Sequence, residues 1–148
     1  MQPLEDQIAE ITRMVFDTVL GLEAVPADGA SPAADDPGML AGAVQITGAF
    51  EGTVTVSCTT ALAVHAAAIL FDVPDGAATE SDTRDALSEL VNITGGNLKP
   101  LVPGPSKLSL PQIASGGSAA KSGKLLGKVR FDCMGQPVEV ALLESTPA

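Results

Sequence analysis

Two polar residues, Glu89 and Asn92, stand three positions apart in the segment 82–99, which has the pattern of an amphipathic helix. At about 100° per residue, one sector of this helix is apolar and predicts a core face, made of Leu87, Val91, Thr94 and Leu98. The opposite sector holds Asp85, Glu89, Asn92 and Gly96. Residues three apart are neighbours on a helix, so a carboxylate and a carboxamide are predicted to project side by side from the exposed face.

Two glycines, Gly95 and Gly96, interrupt the same helix, where each costs roughly 1 kcal/mol relative to alanine. A bare glycine surface lets another protein's backbone approach closely. Asp85, Gly95 and Gly96 are therefore predicted partner contacts beside Glu89 and Asn92, the pair whose types could do chemistry on that partner. The spacing alone also fits an ordinary solvated face, with the glycines forming a helix C-cap or a close helix–sheet contact.

Three helices are predicted from apolar spacing, over residues 4–22, 59–71 and 82–99. Gly21 and Pro26 end the first helix. Thr59 or Thr60 suits the N-cap of the second helix, and Ser81 suits that of the third.

The strands are predicted as a hairpin over 40–58, followed by Lys107–Ile113, Leu125–Cys133 and Val138–Leu143. In the hairpin, Val54, Val56 and Cys58 face the core, and the alternation turns the residues between them away: Thr53, Thr55 and Ser57. The fold class is α/β (α+β): a layered arrangement with helices packed on a mostly antiparallel sheet. One domain is expected over 1–148, with a flexible loop at 26–38, and an open sheet edge allows a homodimer.

The composition restricts the partners. A formal net charge of −10 disfavours nucleic acid and anionic membranes. With only 4 Phe and no Trp or Tyr, stacking on bases is nearly excluded. The acidic first ten residues do not resemble a signal peptide, and the longest apolar run is too short to span a bilayer. A cytoplasmic protein with a folded protein partner is expected.

Other reactive residues offer weaker candidates. His65 is the only histidine and lies in an Ala-rich helical segment, which favours a structural role. Cys58 and Cys133 lie in apolar strands, as expected for free buried thiols in a reducing compartment. No cluster has metal-ligand spacing, so no metal and no cofactor of its own are expected. The segment Gly116–Gly123 lacks the order of a phosphate-binding loop and is predicted to be a flexible connection.

A longer stretch of the sequence, which includes Glu89 and Asn92, indicates a more specific function. The run E-L-V-N-I-T-G-G-N-L-K over 89–99, followed by K-L-S-L-P over 107–111, resembles the CheX family of chemotaxis phosphatases, which is related to CheC. An N-terminal helix, a G-x-x-x-G hairpin at Gly48–Gly52 and an Ala-rich helix also resemble that family. The likeness extends over nearly the whole chain. The first helix has Glu10 and Arg13 where a second E-x-x-N motif would lie in CheC, which favours the single-site CheX arrangement.

The resemblance implies a substrate, the phospho-aspartate of a CheY-like receiver domain, and a role for each residue of the pair. Asn92 orients the attacking water, and Glu89 anchors the receiver through an ion pair to a lysine. Mg²⁺ is expected on the receiver. Two alternatives stay open: a non-catalytic module that binds a receiver or a flagellar-switch-like surface, and a structural oligomerisation domain.

Overall fold

The computed structural model describes residues 3–27, 38–74, 76–116 and 123–145. Seven strands form one antiparallel sheet in the order β1-β6-β7-β3-β2-β4, and β5 also pairs with β2. The strands are β1 (Ala24–Pro26), β2 (Met39–Gly48), β3 (Gly52–Thr59), β4 (Ser106–Leu108), β5 (Gln112–Ser115), β6 (Gly123–Cys133) and β7 (Gln136–Ser145). Helices pack on this sheet, which confirms the predicted fold class.

Three helices lie close to the predicted positions: α1 (Leu4–Val15), α2 (Thr60–Phe71) and α3 (Glu80–Leu98). A π-helical turn, Phe16–Leu20, extends α1 and ends at Gly21, whose φ of 66° suits glycine. Thr59 caps α2, as predicted, because its hydroxyl accepts a hydrogen bond of 3.1 Å from the Leu62 amide. A short 3₁₀ turn, Lys99–Leu101, follows α3.

The core lies between the helices and one face of the sheet. It is aliphatic, as the composition requires, and one continuous cluster joins the buried faces of all three helices to the central strands. Val54 and Val56 of β3 are fully buried in it, and Cys58 is almost so. Among the described residues, no helix is both long and apolar enough to cross a membrane.

Both cysteines are buried and free. Burial and, to a smaller extent, the neighbouring Cys133 raise the pKa of the Cys58 thiol to about 12. Burial also raises the pKa of Cys133. Thiols held protonated in this way are poor nucleophiles, so neither cysteine is suited to catalysis.

Three features of the strands correct the predictions or add to them. The prediction that Thr53, Thr55 and Ser57 face away from the core did not include their burial, and all three are buried. They lie on β3, which is flanked on both sides by β2 and β7, so neighbouring side chains cover them. A short strand that was not predicted, β1, pairs with β6 and includes Pro26. Residues 28–37 of the predicted loop and residues 117–122 of the predicted connection Gly116–Gly123 lie outside the described residues.

The third correction concerns Lys107–Ile113, which is not one continuous strand. β4 pairs Ile46 with Leu108, whereas β5 pairs Ala43 with Gln112. Two residues of β2 therefore lie opposite three residues, 109–111, which is the arrangement of a β-bulge. Pro111 has no amide proton to donate to a regular ladder, so an interruption here is physically reasonable.

Candidate functional site

The helix that carries the predicted pair begins with a reciprocal cap. The Thr79 hydroxyl accepts from the Asp82 amide at 3.0 Å, and the Asp82 carboxylate accepts from the Thr79 amide at 3.0 Å. The prediction of Ser81 as the N-cap is therefore wrong by two residues. A carboxylate in the first turn also suits the helix dipole, and it fixes where α3 starts.

The predicted core face of α3 is confirmed, since Leu87, Val91, Thr94 and Leu98 are all buried. Burial on this side fixes the rotation of the helix about its axis. The opposite side is exposed and consists of Asp85, Glu89, Asn92 and Gly96, as the spacing predicted. Neither Glu89 nor Asn92 has a hydrogen bond or ion pair with another described residue. Both groups are therefore available to an external partner, with their Cβ atoms about 5–6 Å apart.

Gly95 has a different position from the one predicted. It is buried, and a Cβ added to it would lie 2.6 Å from Cγ2 of Val44 on β2. The glycine therefore allows α3 to approach the sheet closely, and the prediction that it contacts a partner is wrong. Gly96 is exposed, and a Cβ there would meet nothing nearer than the Leu108 side chain at 4.0 Å.

Two basic side chains attach α3 to the edge of the sheet. Arg84 donates to the Ile113 carbonyl at 3.3 Å and to the Ser115 hydroxyl at 3.5 Å. Lys99 donates to the Ser106 carbonyl at 3.1 Å. These contacts lie on either side of Asn92 along the helix. They were not predicted, because a polar helical residue gives no local indication of which neighbouring strand it will contact.

The arrangement favours positioning over proton transfer. An amide both donates and accepts hydrogen bonds, so the Asn92 side chain can hold a water molecule in a fixed orientation. The Glu89 carboxylate can accept hydrogen bonds from a cationic group. Within the described part of the chain, no group of three or more His, Cys, Asp or Glu residues could hold a metal ion. The chemistry available is that of an amide and a carboxylate applied to another molecule.

Known structures share this fold at low sequence identity. CheX from Vibrio vulnificus has a TM-score of 0.73 at 16% identity, with 96% of both chains covered. The CheX–CheY–BeF₃–Mg²⁺ complex from Borrelia burgdorferi has a TM-score of 0.70 at 18% identity, covering 95% of this chain and 97% of that one. The FliM middle domain from Vibrio alginolyticus has a TM-score of 0.59 at 11% identity, covering 95% and 90%.

The match to a family model identifies the family more specifically than the shared fold does. No curated protein matches the sequence. The family model described as chemotaxis phosphatase CheX matches residues 40–133, which include all but the first residue of β2 and the whole of β3, α2, α3, β4, β5 and β6. Because this match extends over more than half of the chain, the protein belongs to the CheX family of chemotaxis phosphatases.

Proposed function

We propose that this protein hydrolyses the phospho-aspartate of a CheY-like receiver domain. The observation that carries the proposal is the exposed pair Glu89 and Asn92, which has no hydrogen bond or ion pair to any other described residue, on a helix whose rotation is fixed by its buried side. The family match supports a phosphatase. The fold is shared with a CheX that was crystallised with CheY, BeF₃ and Mg²⁺, which supports a receiver as the partner.

Asn92 orients the water that attacks phosphorus. Phosphoryl transfer offers little covalent chemistry for a protein to perform, so placing the nucleophile in line and balancing charge account for most of the acceleration. The Asn92 carboxamide suits this task because its oxygen accepts from the water while its NH₂ group donates to an oxygen nearby. No general base is required from this chain.

Glu89 anchors the receiver. Its carboxylate lies one helical turn from Asn92 and forms an ion pair with a lysine of the receiver's pocket. Asp85 and Gly96 flank the pair on the same exposed face and complete the contact. The divalent cation belongs to the receiver, whose acyl phosphate it neutralises, and this chain supplies no cofactor of its own.

The test is phosphate release from a panel of phosphorylated CheY-like receivers in Mg²⁺. Wild-type protein is expected to accelerate release from at least one receiver. Asn92→Ala is expected to lower kcat by about 100-fold, the scale on which enzymes lose rate when one positioning or charge-stabilising group is removed. Glu89→Ala is expected to raise KM more than it lowers kcat, because its contact is made before the reaction as well as during it.

Asn97→Ala is the matched control. Asn97 lies on the same helix and is exposed, but its amide donates to the Ile93 carbonyl at 2.8 Å. It is five residues from Asn92 and so points about 140° away around the helix. Asn97→Ala should keep its activity. If Asn92→Ala is as fast as wild type, the mechanism is wrong, and receiver binding without acceleration by wild type would favour the non-catalytic module.

A further inference from the structure

One large apolar side chain is far more exposed than the others described. Leu110 is 86% exposed, and the next most exposed is Met134 at 58%. A single exposed leucine is common in proteins and needs no explanation by itself. Leu110 differs because it lies in the bulge at 109–111, next to the helix that carries Glu89 and Asn92.

The bulge holds Leu110 in a fixed place. The Ser109 amide donates to the Gln45 carbonyl at 2.9 Å, and the Gln45 amide donates to the Ser109 hydroxyl at 2.9 Å. The same hydroxyl donates to the Leu110 carbonyl at 3.0 Å. On either side of the bulge, strands β4 and β5 are both paired with β2, and Pro111 restricts the backbone further. The backbone of Leu110 is therefore ordered before any partner arrives.

Strands β4 and β5, which together form the edge of the sheet next to α3, place this bulge beside the middle of the helix. Arg84 contacts Ile113 and Ser115, whereas Lys99 contacts Ser106, so the helix and the edge strand run in opposite directions. The bulge lies midway between these attachments along β4 and β5, and Asn92 lies midway along the chain between Arg84 on α3 and Lys99, which directly follows α3.

The angular positions on the helix agree with this placement. Arg84, Gly95 and Lys99 fall within about 60° of one another on the side toward the edge strand, and Asn92 is the next exposed residue outward from them.

We propose that Leu110 is the apolar anchor for the receiver domain that Glu89 and Asn92 engage, an inference that rests on the proposed function. The predicted contact face is otherwise polar and acidic, with Asp85 and Glu89 on a chain of net charge −10. Charged groups at an interface contribute mainly to specificity and to the rate of encounter, whereas desolvation of apolar surface supplies affinity. Leu110 supplies that apolar surface beside the middle of the helix that carries the pair.

The test separates docking from chemistry. Leu110→Ser is expected to raise KM for a phosphorylated receiver at least 10-fold, about 1.4 kcal/mol of binding, with kcat within about threefold of wild type. Binding to the same receiver loaded with beryllofluoride and Mg²⁺ should weaken by the same factor. Leu110→Met should restore KM, because it returns the apolar surface. The exposed position means that none of these variants disturbs the core.

Leu125→Ser is the control, since Leu125 is 50% exposed but lies on β6, three strands from β2. Unchanged KM and unchanged binding in Leu110→Ser would overturn the proposal, as would equal losses in Leu125→Ser. A change of oligomeric state in Leu110→Ser by light scattering, with receiver binding intact, would also overturn it and assign the leucine to self-association. A wild-type chain that binds receivers without hydrolysing them would refute the proposed phosphatase activity. The effect of Leu110→Ser on binding to the beryllofluoride-loaded receiver would then test the proposed anchor by itself.

Discussion

The adjacent glycines of α3 allow a comparison of two alanine variants in which most contributions to the free energy of unfolding are the same. Replacing either Gly95 or Gly96 by alanine gains helix propensity, about 1 kcal/mol at each position. The surroundings differ sharply. The new Cβ of Gly95→Ala would lie 2.6 Å from the Val44 side chain, and that of Gly96→Ala has only the Leu108 side chain at 4.0 Å.

The magnitude of the difference follows from that contact. Non-bonded carbon atoms rest about 3.5–4.0 Å apart, so Gly95→Ala requires a displacement of roughly 1 Å. Val44 is fully buried and its χ1 is restricted by β-branching, so it cannot rotate away cheaply. Overpacking of this kind costs about 1–3 kcal/mol. Because propensity contributes equally to both variants, Gly95→Ala should be less stable than Gly96→Ala by about 1–3 kcal/mol.

Urea unfolding measures this difference directly. At typical urea m-values, the two midpoints should be separated by roughly 1 M, with unchanged slopes, and Gly96→Ala should lie above wild type. In the phosphate-release assay, Gly96→Ala should be slower than wild type despite its greater stability, because its methyl group occupies the proposed contact face. Equal midpoints for the two variants would refute the close approach of α3 to β2 and the reasoning drawn from it.

Two further predictions concern the fold that positions the site. Thr79→Ala should lower stability to thermal unfolding by about 1 kcal/mol through loss of the N-cap, while Ser81→Ala should change it by less than about 0.5 kcal/mol; equal effects would contradict the assigned cap. The Cys58 thiol keeps its proton to about pH 12 in the folded chain but has an ordinary pKa of 9.0 when unfolded. The unfolded state therefore loses its proton first, and stability should fall between pH 9 and pH 12 by about 1.4 kcal/mol per unit. Urea unfolding at pH 8, 9 and 10 should show a smaller decrease in the free energy of unfolding for Cys58→Ala than for wild type. An equal decrease in both would refute the assignment of this pH dependence to Cys58.

The exposed face of α3 could be predicted from sequence because helical periodicity is a local property. Leu87 and Val91 pack inward since their spacing matches the helical repeat, and that alone places Glu89 and Asn92 outside. Gly95 could not be assigned in the same way. Its angle on the helix lies between the core and the exposed face, and only the distance to Val44 on another element decides its role.

Features that depend on neighbouring strands could not be predicted from local sequence patterns either. Thr55 alternates with valines as a solvent-facing residue does, but it is buried because β3 lies inside the sheet. The alternation of Leu108 and Leu110 predicts one continuous strand. The bulge becomes visible only when the pairing of both halves with β2 is known.

The attachment of α3 to the edge strand explains how a short motif can become a site. With side chains projecting about 5–6 Å from the helix axis, a rotation of about 20° would displace the Asn92 amide by roughly 2 Å. Errors of 1 Å in positioning can reduce a rate about 100-fold. The buried face of α3 and the hydrogen bonds from Arg84 and Lys99 oppose such a rotation, and the same edge strand carries Leu110. The helix and the bulge therefore hold Glu89, Asn92 and Leu110 as one rigid surface, and a partner that docks on the leucine meets the amide already in place.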